Sequence, residues 1–75
     1  MYDILYKCKE PRTITEIIGI CNVSYSRLSE LLGFMKYRNL ISQVKRQHSR
    51  GIFHKTTIKG LKYIKTFEEL KKVME

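Results

Sequence analysis

Nine lysines and arginines lie between residues 31 and 67 (Lys36, Arg38, Lys45, Arg46, Arg50, Lys55, Lys59, Lys62 and Lys65), with no acidic residue among them. A single-sign segment of this kind suits the neutralisation of a polyanion, with release of its counterions. Residues 1–30 carry no such bias, because Lys7, Lys9, Arg12 and Arg27 balance Asp3, Glu10, Glu16 and Glu30. The net charge of +8 is therefore local, and residues 68–75 turn slightly acidic. The charge is densest at Lys45, Arg46, His48, Arg50 and Lys55, five residues with the reach to grip phosphates or a minor groove.

Other chemistries lack their groups. Asp3 is the only Asp, there is no glycine-rich phosphate loop, and no set of Ser, His and acid can be assembled, so no catalytic residue and no enzyme activity is expected. His48 and His54 have no third ligand at metal-binding spacing, and Cys8 and Cys21 form neither a CxxC pair nor a zinc pattern with them. No metal and no cofactor is expected, and the cysteines read as free thiols. Five Tyr and three Phe sit mostly at core spacing, which favours packing over the stacking platforms of single-strand binders. No apolar run approaches the roughly 18 residues of a membrane span. The N-terminus, punctuated by Asp3, Lys7 and Lys9, lacks a signal-peptide core.

The elements that must position the basic residues can be read from spacing and capping. Ile4, Leu5 and Cys8, with Tyr2 and Tyr6 beside them, predict a short first helix that Pro11 ends. Thr13-Ile14-Thr15-Glu16 has the form of a capping box, so a second helix should run from Ile14 to about Ile20 and bury Ile14, Ile17 and Ile18. Cys21-Asn22-Val23 is a tight turn. Ser24 then caps a third helix with Leu28, Leu31, Leu32 and Met35 on one face. Asn39 stands where a left-handed residue ends a helix. Ile41 to Lys45 and Ile52 to Thr57 predict two strands around Arg46-Gln47-His48-Ser49-Arg50-Gly51, a hairpin that serves as a wing. Thr57 can cap a last helix from Ile58 to about Val73. That helix carries two apolar stripes, Tyr63, Phe67, Leu70 and Met74 at 4, 3, 4 spacing and Ile58, Leu61 and Ile64, one to pack on the domain and one for a partner.

Two helices joined by three residues make a helix-turn-helix, in which the second helix enters the major groove. Its outward set here is Tyr25, Ser26, Ser29, Glu30, Gly33, Lys36 and Tyr37, with Arg27 on the flank. Ser and Tyr hydroxyls can read several base edges, and Arg27 can grip guanine.

Thr15-Glu16-Ile17, Val23-Ser24-Tyr25, Leu40-Ile41 and Thr57-Ile58-Lys59-Gly60 resemble the corresponding steps of the small archaeal winged helix-turn-helix family of transcriptional regulators. The resemblance covers nearly the whole chain and implies DNA binding and a homodimer. This chain departs from the family in having Asn39 where Gly is common, and in a last helix of only about two heptads. The expectation is one α+β, mainly helical winged helix-turn-helix domain over residues 1–75, with residues 58–74 as a dimerisation helix. Double-stranded DNA would be bound through Ser24, Tyr25, Ser26, Arg27, Ser29, Lys36, Lys45, Arg46, His48, Arg50 and Lys55. Tyr63, Phe67, Leu70 and Met74 would line a two-fold interface, and no membrane partner is implied. The protein would be cytoplasmic and nucleoid-associated. The alternatives are a winged-helix module for protein–protein interaction, or an architectural, non-specific binder of DNA or RNA.

Overall fold

The computed structural model describes residues 1–48 and 50–74; Ser49, in the expected hairpin tip, and Glu75 lie outside the described residues. The element order is α1 (Tyr2–Lys7), α2 (Ile14–Cys21), α3 (Tyr25–Tyr37), β1 (Ile41–Val44), β2 (Phe53–Thr56) and α4 (Ile58–Met74). This is a winged helix fold, a helical body carrying one antiparallel hairpin, and every expected element is present.

Local chemistry closes the helices. At the start of α2 the Glu16 backbone N–H donates to the Thr13 hydroxyl oxygen at 3.2 Å, and the Thr13 N–H donates to the Glu16 carboxylate at 3.0 Å. Asn22 ends α2 with φ of 53°, and Val23 leads directly to Ser24, whose hydroxyl oxygen accepts from the Arg27 N–H at 3.2 Å. α3 ends in a Schellman motif. The Leu40 N–H donates to the Met35 carbonyl at 2.8 Å and the Asn39 N–H to the Lys36 carbonyl at 3.0 Å, while Asn39 takes φ of 60°. Asn is among the few non-glycine types enriched in the left-handed region, so it serves at a position where glycine is the usual choice.

The core gathers Ile4, Leu5 and Cys8 of the α1 segment, Ile17 of α2, Leu28, Leu32 and Met35 of α3, Leu40 and Ile41 at the entry to β1, and Ile64 of α4. Ile14, Ile18 and Leu31, expected inside, are half-buried against its edge.

The hairpin pairs Ile41 with Thr56, Ser42 with Lys55, Gln43 with His54 and Val44 with Phe53. Ile41, His54 and Thr56 share the inward face. The Thr56 hydroxyl donates to the Leu5 carbonyl at 2.6 Å, and its N–H donates to the Cys8 carbonyl at 2.8 Å, tying β2 to α1. A further pairing escaped the sequence reading. Arg12, in the linker between α1 and α2, makes an antiparallel bridge to His54, its N–H donating to the His54 carbonyl at 3.0 Å and its carbonyl accepting at 2.7 Å. The hairpin is thereby held on both edges of β2.

On α4 the packing differs from the two-stripe expectation. The face turned to the body is Gly60 and Ile64, with Tyr63 half-buried and Phe67 stacked on Tyr2 of α1 at 4.7 Å between ring centres. Ile58 and Leu61, from the same stripe as Ile64, stay exposed. Gly60 decides this rotation. A Cβ there would collide with the Leu40 carbonyl and the Thr56 methyl, so the helix backbone lies directly on the hairpin and turns its neighbours accordingly.

Candidate nucleic-acid interface

The third helix presents a small, hydroxyl-rich face. With Leu28, Leu32 and Met35 fully turned inward, Tyr25, Ser26, Arg27, Ser29, Glu30, Gly33, Lys36 and Tyr37 are all exposed. Not all are equally available. Ser24 spends its hydroxyl oxygen on the cap, and the Arg27 guanidinium lies 3.7 Å from Glu30, one helical turn on. That ion pair holds Arg27 along the helix surface, at an energy of a few tenths of a kcal/mol that a competing phosphate or base edge easily exceeds.

The hairpin carries the rest of the expected set. Lys45, Arg46, His48, Arg50 and Lys55 are exposed, and no ion pair involves any of them among the described residues. Arg46 lies over an aromatic ring, its guanidinium 5.3 Å from the centre of the Phe53 ring. His48 adopts φ of 70°, which turns the chain at the tip. Gly51 seats the root of the wing beside α2: a Cβ there would lie 3.7 Å from the Thr13 methyl and 3.6 Å from the Phe53 ring. The ion pairs among the described residues belong instead to Arg12, with Glu10 and Glu16 at 3.8 Å each, and to Arg27. The charge segregation read in the sequence thus becomes a structural one, an ion-paired α1–α2 linker and a basic wing without ion pairs among the described residues.

A profile described as winged helix-turn-helix matches residues 1–75, the full length of the sequence. The chain belongs to the winged helix-turn-helix family. Among solved structures it is similar to AbsC, a MarR family transcriptional regulator from Streptomyces coelicolor, with 25% sequence identity and a TM-score of 0.77. The similarity covers 91% of this chain and 49% of AbsC, so the chain spans about half the length of that regulator. No curated protein matches the sequence.

In this winged helix-turn-helix domain a groove runs between α3 and the first turn of α2. Ile14, Leu28 and Leu32 form its floor, and Tyr25, Ser29, Gly33 and Lys36 its exposed walls. His54 is buried, with neither ring nitrogen hydrogen-bonded in the described structure. Burial, and then the Lys36 charge, lower its pKa below the ordinary imidazole value, so the ring is neutral at pH 7. Its position could not be read locally, since the alternation around Phe53 gives no hint that a histidine faces inward.

The cysteines are free. Burial first, and then nearby Cys21, push the Cys8 thiol up to about 11, while the charge of Arg12 opposes the shift. Burial raises the half-buried Cys21 as well. Neither thiol carries the thiolate character that reactivity requires. Among the described residues, no group of three His, Cys, Asp or Glu could hold a metal ion, and no helix is long and apolar enough to cross a membrane. Of the expected dimer residues, Tyr63 is half-buried in its own chain's core, Phe67 is stacked on Tyr2, and Leu70 and Met74 are exposed.

Proposed function

We propose that this domain binds double-stranded DNA and serves as a transcriptional regulator, with α3 in the major groove and the basic wing on the backbone or in the minor groove. The observation that carries this reading is the exposed basic wing, free of ion pairs among the described residues, standing beside a capped helix whose exposed face includes Tyr25, Ser26, Ser29 and Gly33. The similarity to a MarR family regulator supports the same reading. Ser26, Ser29 and Tyr25 would meet base edges, and Arg27 would exchange Glu30 for guanine. Lys36, Lys45, Arg46, His48, Arg50 and Lys55 would meet phosphates, and Ser24 would act through the cap.

A second copy of the chain fits the reading. Leu70 and Met74 continue the line of Tyr63 and Phe67 past the end of the body and remain exposed. The sequence Glu68-Glu69-Leu70-Lys71-Lys72 complements itself: two helices crossing antiparallel at Leu70 would set each pair of acids against the other copy's lysines. Replacing Leu70 and Met74 by Ser should reduce a dimer's mass in light scattering while the monomer stays folded.

Binding to duplex DNA through about 6 to 10 phosphates should lose about 10³ to 10⁵ in affinity between 50 and 200 mM salt. A salt-insensitive complex, or none with duplex, would overturn the proposal. An architectural role is the second reading, favoured by an α3 face on which Arg27 stands among mostly Ser, Tyr and Gly, few strong base-reading groups. Selection from a random duplex pool separates the two, since a regulator returns a sharp consensus and an architectural protein a flat one.

A further inference from the structure

We infer that the lysine row of α4, Lys59, Lys62 and Lys65, is a second duplex-backbone surface, separate from α3 and the wing, so that one chain can hold two segments of DNA. The inference rests on the duplex-DNA reading. All three lysines are exposed, and none has an ion pair among the described residues. By helical periodicity Lys62 and Lys65 fall on the side of α4 opposite Gly60 and Ile64, with Lys59 on the flank. α4 packs on α1 and β2, whereas α3 packs on β1. The two helices cover different parts of one core, and the lysine row lies on the side of α4 turned away from it. From Lys59 to Lys65 the helix rises about 9 Å, a length over which a duplex presents about five negative charges.

Nothing among the described residues accounts for this row. Cations three residues apart repel one another on a helix surface, and a cation in the first turn opposes the helix dipole. Lys59 is the second residue of α4, whose first turn has no acid, while α1 and α2 place Asp3 and Glu16 in theirs. In the α1–α2 linker and at the start of α3 the cations are matched, Arg12 by Glu10 and Glu16 and Arg27 by Glu30. Even the far half of α4 sets Glu68 and Glu69 beside Lys71 and Lys72. A helix face that serves only solubility gains from interspersed acids, whereas a face that meets phosphates loses by them.

A glutamine variant carrying Lys59→Gln, Lys62→Gln and Lys65→Gln tests this, beside an arginine variant carrying Lys59→Arg, Lys62→Arg and Lys65→Arg, both made in the full chain. Duplexes of one helical turn are added in excess at about 50 mM salt and the complexes weighed by sedimentation. The unaltered chain and the arginine variant should take two duplexes per chain, and the glutamine variant one. Counting per chain makes the result independent of dimerisation. The glutamine variant should melt no lower than the unaltered chain, because the repulsion along the row is gone. Its affinity in the tighter step should change less than about twofold, while the weaker step of the unaltered chain should show a salt slope of about three. One duplex per chain for the unaltered protein, two for the glutamine variant, a lower melting temperature, or a loss of about tenfold in the tighter step would each overturn the second surface and leave the DNA reading standing. One duplex per chain, together with polyglutamate binding that the glutamine variant loses, would instead assign the row and the exposed Ile58 and Leu61 to an acidic protein segment. Absence of duplex binding by the unaltered chain would remove the reading and the second surface together.

Discussion

Helices α3 and α4 are built from similar residues and end in opposite conditions. α3 is 13 residues long, buries Leu28, Leu32 and Met35, and is closed by Ser24 at one end and by the Asn39 turn at the other. α4 is 17 residues long and buries only Gly60 and Ile64, while Leu70, Val73 and Met74 are 56%, 83% and 78% exposed. A helix held along its whole length displays its outer face at a fixed angle, which a groove-reading element needs. A helix held at one end leaves its other half unsatisfied by its own chain. The contrast assigns rigidity to α3 and association to the far half of α4.

The sharpest test of this contrast is truncation on each helix. Leu28→Ala should cost about 2–5 kcal/mol, because Leu28 is fully buried and its methyls leave a cavity. Leu70→Ala should stay within about 0.5 kcal/mol in the monomer, measured by urea unfolding at low protein concentration. Equal losses at the two sites would break the comparison. Next in size is Gly60→Ala, a substitution in the anchored half of α4. It forces the helix away from the Leu40 carbonyl at a cost of about 1–3 kcal/mol, readable as a lowered urea midpoint.

The α3–hairpin junction should also be sensitive to acid. The buried His54 has a lowered pKa, so on acidification the unfolded chain takes up the proton first. Its contribution to stability is complete above the ordinary imidazole value of 6.5 and declines as the pH falls below it. Unfolding midpoints followed from about pH 8 to pH 5.5 should fall, and His54→Leu should flatten that slope. Glu16 of the α2 capping box titrates outside this window. The Thr13 N–H bond holds its carboxylate below the usual 4.5, so its contribution is lost only at more acid pH. The smallest expected effect is at the α3 cap. Ser24→Ala should cost about 1 kcal/mol and fray the first turn, seen as faster amide exchange at Arg27.

Much of the fold was legible because its signals are local. The capping box at Thr13 and Glu16, the Ser24 cap, the left-handed Asn39 and the Thr57 cap each act within three or four residues, and each is present as read. The exposed set on α3 followed from the same helical periodicity that placed Leu28, Leu32 and Met35 inside. Groups that depend on distant segments were not legible. The Arg12–His54 bridge joins residues 42 apart in the sequence. The groove needs Ile14 and Lys36 together, which no spacing along the chain announces.

The sequence by itself determined the order of the elements, where α2, α3 and α4 start and stop, and the concentration of positive charge after residue 30, since all three follow from neighbouring side chains and simple counting. Only the tertiary structure decided which face of α4 meets the body, that a histidine lies inside, and that the wing root stands against the start of α2. Two apolar stripes on one helix are equivalent until a specific neighbour fits one of them. Here the Leu40 carbonyl and Thr56 fit only against a residue without a side chain, and that contact set the rest.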